Sequence, residues 1–208
     1  MSDDDILSDV YASAEIRGAE TLYDIWAAKY DRDTAALGFR LPALAAGFVA
    51  RYVPRSAGAI LDAAAGTGQV GNCLAVLGYD ALTGIDISNA MLEKAAKTGR
   101  YQSLVQMDLG APLGFDDGAF AATLCIGAFG PGHAPPACLP ELARVTAKGG
   151  HVIFNTVEAF WRDQGFPALI RDLEQSGTWR AVERSDPFCP YTLGEEDVET
   201  RMFVFERL

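Results

Sequence analysis

Three aspartates each close an apolar run: Ile60-Leu61-Asp62, Gly84-Ile85-Asp86 and Gln106-Met107-Asp108. A carboxylate at the end of a buried run must meet donors, because unpaired burial is costly. Three in series describe a surface of hydrogen-bond acceptors. Between the first two lies a glycine turn, Ala64-Ala65-Gly66-Thr67-Gly68-Gln69-Val70-Gly71. Gly66 and Gly68 let a small ligand lie against the backbone. A dinucleotide fits this GxGxxG spacing, with Asp86 about 20 residues further on. That fingerprint, however, runs its apolar strand close to the first glycine. Here Asp62 sits four residues before Gly66. A cofactor with an amino-acid end offers that carboxylate an ammonium rather than a pyrophosphate.

S-adenosylmethionine answers to this description. Asp62 and the loop N–H groups would face its methionine end. Asp86 would accept from a ribose diol, with Ile87 walling the adenine. Asp108 would accept from the exocyclic amine, and the Leu109 N–H would reach a ring nitrogen. Each aspartate alone reads equally well as a helix cap or turn residue. Their agreement at three successive strand ends favours a site.

Tyr23, Trp26 and Tyr30 fall on one helical pattern and suggest a lid over that cofactor. An aromatic face near a cation contributes about 0.5–2 kcal/mol, though the same spacing suits a packed core. Arg40 is a candidate for the cofactor carboxylate, with a plain surface arginine as the alternative. Methyl transfer from a sulfonium needs no base when the acceptor is already nucleophilic. If one is needed, His133, in Gly130-Pro131-Gly132-His133, is the candidate general base. The competing reading is a loop histidine that shapes the pocket. His151 reads as structural. Phe129 and Phe160 suit either a substrate wall or the core.

The elements that must position these residues alternate. Helical periodicity covers about residues 15–29 and 42–52, with Pro42 in a first turn. Apolar runs at 59–62, 81–85, 101–107, 120–126 and 151–155 read as strands. Helices over 69–77, 88–98 and 140–145 separate them, with Ser88 as an N-cap and Gly99 as a terminator. A helix over 167–175 and runs near 179–183 and 201–206 follow. Such alternation predicts a parallel α/β sheet covered by helices on both faces. The last two runs have no helix between them and predict an antiparallel pair at one edge. At 208 residues the expectation is one domain, with residues 1–55 as a helical lid and 56–208 as the sheet core.

The formal charge of −11 leaves no basic footprint for nucleic acid or a membrane surface. Two histidines and four scattered cysteines make a zinc site a poor reading. Asp3-Asp4-Asp5 is the opposite of a signal-peptide start, so a cytoplasmic protein with reduced thiols is expected. The expected partner is a small molecule.

These residues resemble the class I S-adenosylmethionine-dependent methyltransferases, and more narrowly the Williams–Beuren syndrome region methyltransferase-like proteins. The resemblance runs from about Tyr23 to Gly150. It is carried by Tyr23-Asp24-Ile25-Trp26-Ala27-Ala28-Lys29-Tyr30-Asp31, Phe39-Arg40-Leu41-Pro42, the glycine loop, and Gly84-Ile85-Asp86-Ile87-Ser88 with Met91-Leu92. Gly99-Arg100-Tyr101, Asp108-Leu109, Ile126-Gly127-Ala128-Phe129, Pro140-Glu141-Leu142 and Gly149-Gly150 continue it. Two departures are Ala65, where Cys or Gly is usual, and Ala147-Lys148 for Lys-Pro. The resemblance implies a Rossmann-like seven-stranded, mostly parallel sheet with the last strand antiparallel. It implies cofactor roles for Asp62, Gly66, Gly68, Asp86, Asp108 and Leu109. Ala64, Met91 and Ile126 join them as cofactor-binding candidates. Left open are a cofactor-binding protein without catalysis and a nicotinamide-dependent oxidoreductase.

Overall fold

The computed structural model describes residues 16–130, 133–193 and 198–208. The acidic start and residues 131–132 of the histidine loop lie outside them. Seven strands form one sheet: β1 (Ile60–Ala63), β2 (Leu82–Asp86), β3 (Ser103–Gln106), β4 (Phe120–Phe129), β5 (Thr146–Val157), β6 (Trp179–Arg184) and β7 (Thr200–Arg207). Their order is β3-β2-β1-β4-β5-β7-β6. β1 to β5 pair in parallel. β7 runs antiparallel to both β5 and β6, so it alone opposes the rest. The chain reverses its direction of travel across the sheet between β1 and β4, leaving a crevice at their carboxyl ends.

Helices α1 (Ile16–Trp26), α2 (Tyr30–Ala36), α3 (Leu41–Tyr52), α4 (Gln69–Val76), α5 (Asn89–Thr98), α6 (Leu139–Val145), α7 (Glu158–Asp163) and α8 (Phe166–Gln175) accompany the sheet. Successive strand side chains feed two cores. Ile60, Leu124 and Ile153 pack with Ala45 and Val49 of α3 and Leu74 of α4. Leu61, Cys125 and Phe154 pack with Leu142 of α6 and Phe166 and Ile170 of α8. Burial on both faces is why these strands read as unbroken apolar runs.

Two sequence expectations change. The single helix over 15–29 is two, broken at 27–29, so Tyr30 opens α2 instead of closing α1. The first turn of α2 carries Asp31 and Asp33, which favour a helix N-terminus. Trp26 Nε1 donates to Asp33 Oδ2 across the break at 3.0 Å. The second change is β5, which starts at Thr146 and absorbs Gly149-Gly150 through a register shift between the Phe120 and Ala122 pairings. A Cβ on Gly150 would lie 2.5 Å from the Ala121 carbonyl oxygen, so glycine keeps the strands together there. Among the described residues no helix is long and apolar enough to cross a membrane.

Candidate active site

A cavity of about 970 Å³, counted to its open mouth, lies over the carboxyl ends of β1, β2, β3 and β4. Its floor is the loop after β1. Ala64 and Ala65 both donate their N–H to the Ile85 carbonyl, at 2.8 and 2.9 Å. Three positions in the loop are left-handed: Ala64 (φ 78°), Gly66 (φ 55°) and Gly68 (φ 87°). The glycines adopt this freely, whereas Ala64 holds it at a cost of about 1–2 kcal/mol.

Asp86 ties the loop to the next helix. Its Oδ2 accepts from Gly66 N–H at 2.8 Å and its Oδ1 from Ser88 N–H at 2.9 Å. Burial pushes this carboxyl above its ordinary pKa, with Asp24 adding, and the N–H groups of Ser88, Gly66 and Ile87 pull it partly back. Both oxygens keep a further lone pair, and the side chain lines the cavity. At the end of β3, Asp108 Oδ1 accepts from Gly110 N–H at 2.7 Å, and Met107, Asp108 and Leu109 form the adjoining wall.

Of the residues expected to form the site, Tyr23, Tyr30, Ala64, Gly66, Asp86, Ile87, Met91, Asp108, Leu109, Ile126 and His133 all line this cavity. Four do not. Asp62 is fully buried beneath the loop, not presented on the wall as a grip. Its Oδ2 accepts from Tyr101 OH at 2.6 Å, and its Oδ1 has no protein partner among the described residues. Burial foremost, with Asp86 adding, raises its pKa to about 6, while the Tyr101 hydroxyl works against the shift. Gly68 starts α4 and packs under the Tyr101 ring. Trp26 is buried and lines a neighbouring cavity instead. Arg40 donates from Nε and Nη2 to the Cys189 carbonyl, at 2.9 and 2.7 Å, and lines neither cavity.

Helices α1 and α2 are tied to the site by polar side chains. Asp24 Oδ1 accepts from Ser88 Oγ at 2.5 Å and Ala90 N–H at 3.2 Å. Asp31 Oδ1 accepts from Thr67 Oγ1 at 2.5 Å and Gln69 Nε2 at 2.8 Å. Tyr23 OH lies 2.6 Å from His133 Nε2.

The sequence did not place Tyr101, Gln69, Met107 or Pro42 at the site, where Gln69, Met107 and Pro42 line the cavity and Tyr101 holds Asp62. Tyr101 had a readable signal, because its ring occupies the space of missing Cβ atoms. A Cβ on Gly71 would lie 2.5 Å from the ring, on Gly84 3.0 Å and on Gly68 3.1 Å. The last glycine of the GxGxxG spacing is therefore there for Tyr101, whose OH accepts from Gly71 N–H at 3.2 Å.

A doubly wound sheet with one reversed strand, a cavity at the switch point and carboxylates at two strand ends define a cofactor-binding α/β protein. Residues 61–154 match a methyltransferase domain family, Methyltransf_11. The chain is 38% identical over 166 residues to human methyltransferase-like protein 27, across 77% of this chain and 67% of that protein. Among solved structures, the [4+2]-cyclase SpnF superposes with a TM-score of 0.71 at 15% identity, covering 94% of this chain and 97% of that one. A putative methyltransferase of Haloferax volcanii, in complex with the Trm112 activator, gives 0.66 at 19%, covering 89% and 97%. Likeness at such identity speaks to the fold alone. The chain belongs to the class I S-adenosylmethionine-dependent methyltransferases. It is an enzyme, its cofactor is S-adenosylmethionine, and the nicotinamide reading of the glycine loop falls away. The donor set fits this cofactor: carboxylate acceptors suit ribose hydroxyls and an amine, and aromatic walls suit a sulfonium.

Proposed function

We propose that the protein transfers a methyl group from S-adenosylmethionine to a small-molecule acceptor. In this reading Asp86 holds the ribose hydroxyls, Asp108 and Leu109 hold the adenine edge, and Ile87 and Met91 pack against the ring. Ala64 and Gly66 carry the methionine end, with Asp62 setting the charge beneath it. The bound cofactor supplies an electrophilic methyl on a positively charged sulfur. His133 serves as the general base, held by Tyr23.

The observation that supports this most directly is the 2.6 Å Tyr23 OH to His133 Nε2 contact on the cavity wall. It joins α1 to the loop after β4 through two groups that can pass a proton along one hydrogen bond. The test is transfer of labelled methyl from S-adenosylmethionine into a metabolite extract. His133→Ala should lower turnover by roughly 10²–10⁴-fold while cofactor affinity is retained. Unchanged turnover would remove the base assignment. If labelled methyl reaches no acceptor in the extract, the transfer reading itself fails.

A further inference from the structure

A second cavity, about 620 Å³ with its open solvent included, adjoins the first and shares Tyr23, Tyr30, Phe39, Gly127 and His133 with it. Among its described lining residues there is no Asp, Glu, Lys or Arg. Aromatic rings dominate, including Trp26, Phe129 and Tyr191. Its amide and its aliphatic hydroxyl, Asn155 and Thr200, are engaged with their surroundings. Asn155 Nδ2 donates to Thr200 Oγ1 at 2.9 Å, and Asn155 Oδ1 accepts from Gly127 N–H at 2.7 Å. Thr200 Oγ1 donates to the Thr156 carbonyl at 2.9 Å. Arg40, between lining residues Phe39 and Leu41, is committed to the Cys189 carbonyl.

A carboxylate or phosphate entering here would leave water for a wall that, among the described residues, has no Lys or Arg and whose His133 must stay neutral to take the acceptor's proton, which is expensive. A flat uncharged ring would instead meet aromatic faces. The Tyr23–His133 pair stands on the wall common to both cavities, so an acceptor here would touch a pair able to take its proton.

We propose that the second cavity holds the methyl acceptor, and that this acceptor is an uncharged, aromatic-sized molecule bearing a hydroxyl group. The proposal rests on the methyltransferase reading. The acceptor oxygen bonds to the methyl carbon as the carbon–sulfur bond breaks, its electron pair remaining on sulfur as a neutral thioether. The acceptor proton passes to the Tyr23 oxygen while the Tyr23 proton moves to His133 Nε2, leaving the positive charge on the imidazolium.

Naphthol and hydroxynaphthoic acid, the same ring without and with a carboxylate, test this by calorimetry on the full chain saturated with S-adenosylhomocysteine. Naphthol should bind roughly tenfold or more tightly than the acid. Val157 lines only the second cavity. Val157→Trp should fill the space and remove most naphthol binding, with S-adenosylhomocysteine affinity barely moved. Val157→Arg should reverse the preference in favour of the acid. Equal or tighter binding of the acid to the unmodified protein overturns the acceptor class, as does failure of both compounds to bind. Undiminished naphthol binding by Val157→Trp overturns the location. Failure of S-adenosylhomocysteine to bind at all would instead strike the cofactor reading, so the two failures are distinguishable.

Discussion

Asp62 is a carboxylate in surroundings that disfavour its charge, with one oxygen on Tyr101 and the other unmatched among the described residues. Its folded pKa of about 6 stands above the ordinary 3.8. A raised value means that the folded state holds the proton more tightly than the unfolded chain. The stability that proton confers is full below about pH 4 and lost as pH rises through 6. The cost above that range is of the order of 1–3 kcal/mol. Asp62→Asn keeps an acceptor for Tyr101 and removes the charge. In denaturant titrations the variant should be more stable than the parent at pH 7 by roughly that amount, the difference vanishing towards pH 4. A constant difference across this range would mean that the carboxylate ionises without penalty. The same substitution tests whether Asp62 senses the cofactor's ammonium. Parent affinity for S-adenosylmethionine should rise as pH passes upward through 6, and the Asp62→Asn affinity should stay flat.

At the scale of elements, α1 and α2 reach the site largely through polar side chains. Asp24 reaches the N-terminus of α5, Asp31 reaches the glycine loop, and Tyr23 reaches His133. Few-bond latches of this kind open locally without unfolding the sheet. Asp24→Ala and Asp31→Ala should each weaken cofactor binding by about 5- to 30-fold, since each removes a charge-assisted bond. Amide exchange should quicken in α1 and α2 and stay slow in β1 and β4. Unchanged exchange in the lid would show that these contacts do not hold it shut. This element was also the least legible in the sequence. The apolar spacing of Leu22, Trp26 and Tyr30 runs on across residues 27–29, so periodicity alone concealed the break. The signal lay in Asp31 and Asp33, two acids in one helix-opening turn. Most strands and helices of the sheet are legible because polar or glycine punctuation bounds them; β5, which runs through Gly149-Gly150, and the short α7 are the exceptions. Asp86 and Asp108 were legible as strand-end acceptors. The destinations of Asp62, Trp26 and Arg40 were not, because their partners Tyr101, Asp33 and Cys189 are set by tertiary packing and not by local spacing. Strand order was not readable from periodicity either.

At the scale of the whole molecule, the cavity is where the two halves of the sheet and the lid converge. Its walls draw on α1, α2, β2, β4 and the segments after β1 and β3. A ligand there ties together parts of the chain far apart in sequence, so binding should register as global stability. The chain carries a net charge of −11, and Asp62, Asp86 and Asp108 meet beneath or around the cavity. Screening that repulsion with salt should raise the unfolding temperature of the ligand-free protein. S-adenosylmethionine brings a sulfonium and an ammonium to this acidic region, whereas a dinucleotide brings a pyrophosphate. At about 100 times its Kd, S-adenosylmethionine should add about 2.7 kcal/mol of stability by mass action. For a chain of this length that corresponds to a rise in Tm of roughly 5–10 °C. NAD at the same concentration should leave Tm where it was. Scanning calorimetry at low and moderate ionic strength reads both effects. A shift with NAD and none with S-adenosylmethionine would mean that the acids at the strand ends do not select the cofactor, however well the fold accommodates one.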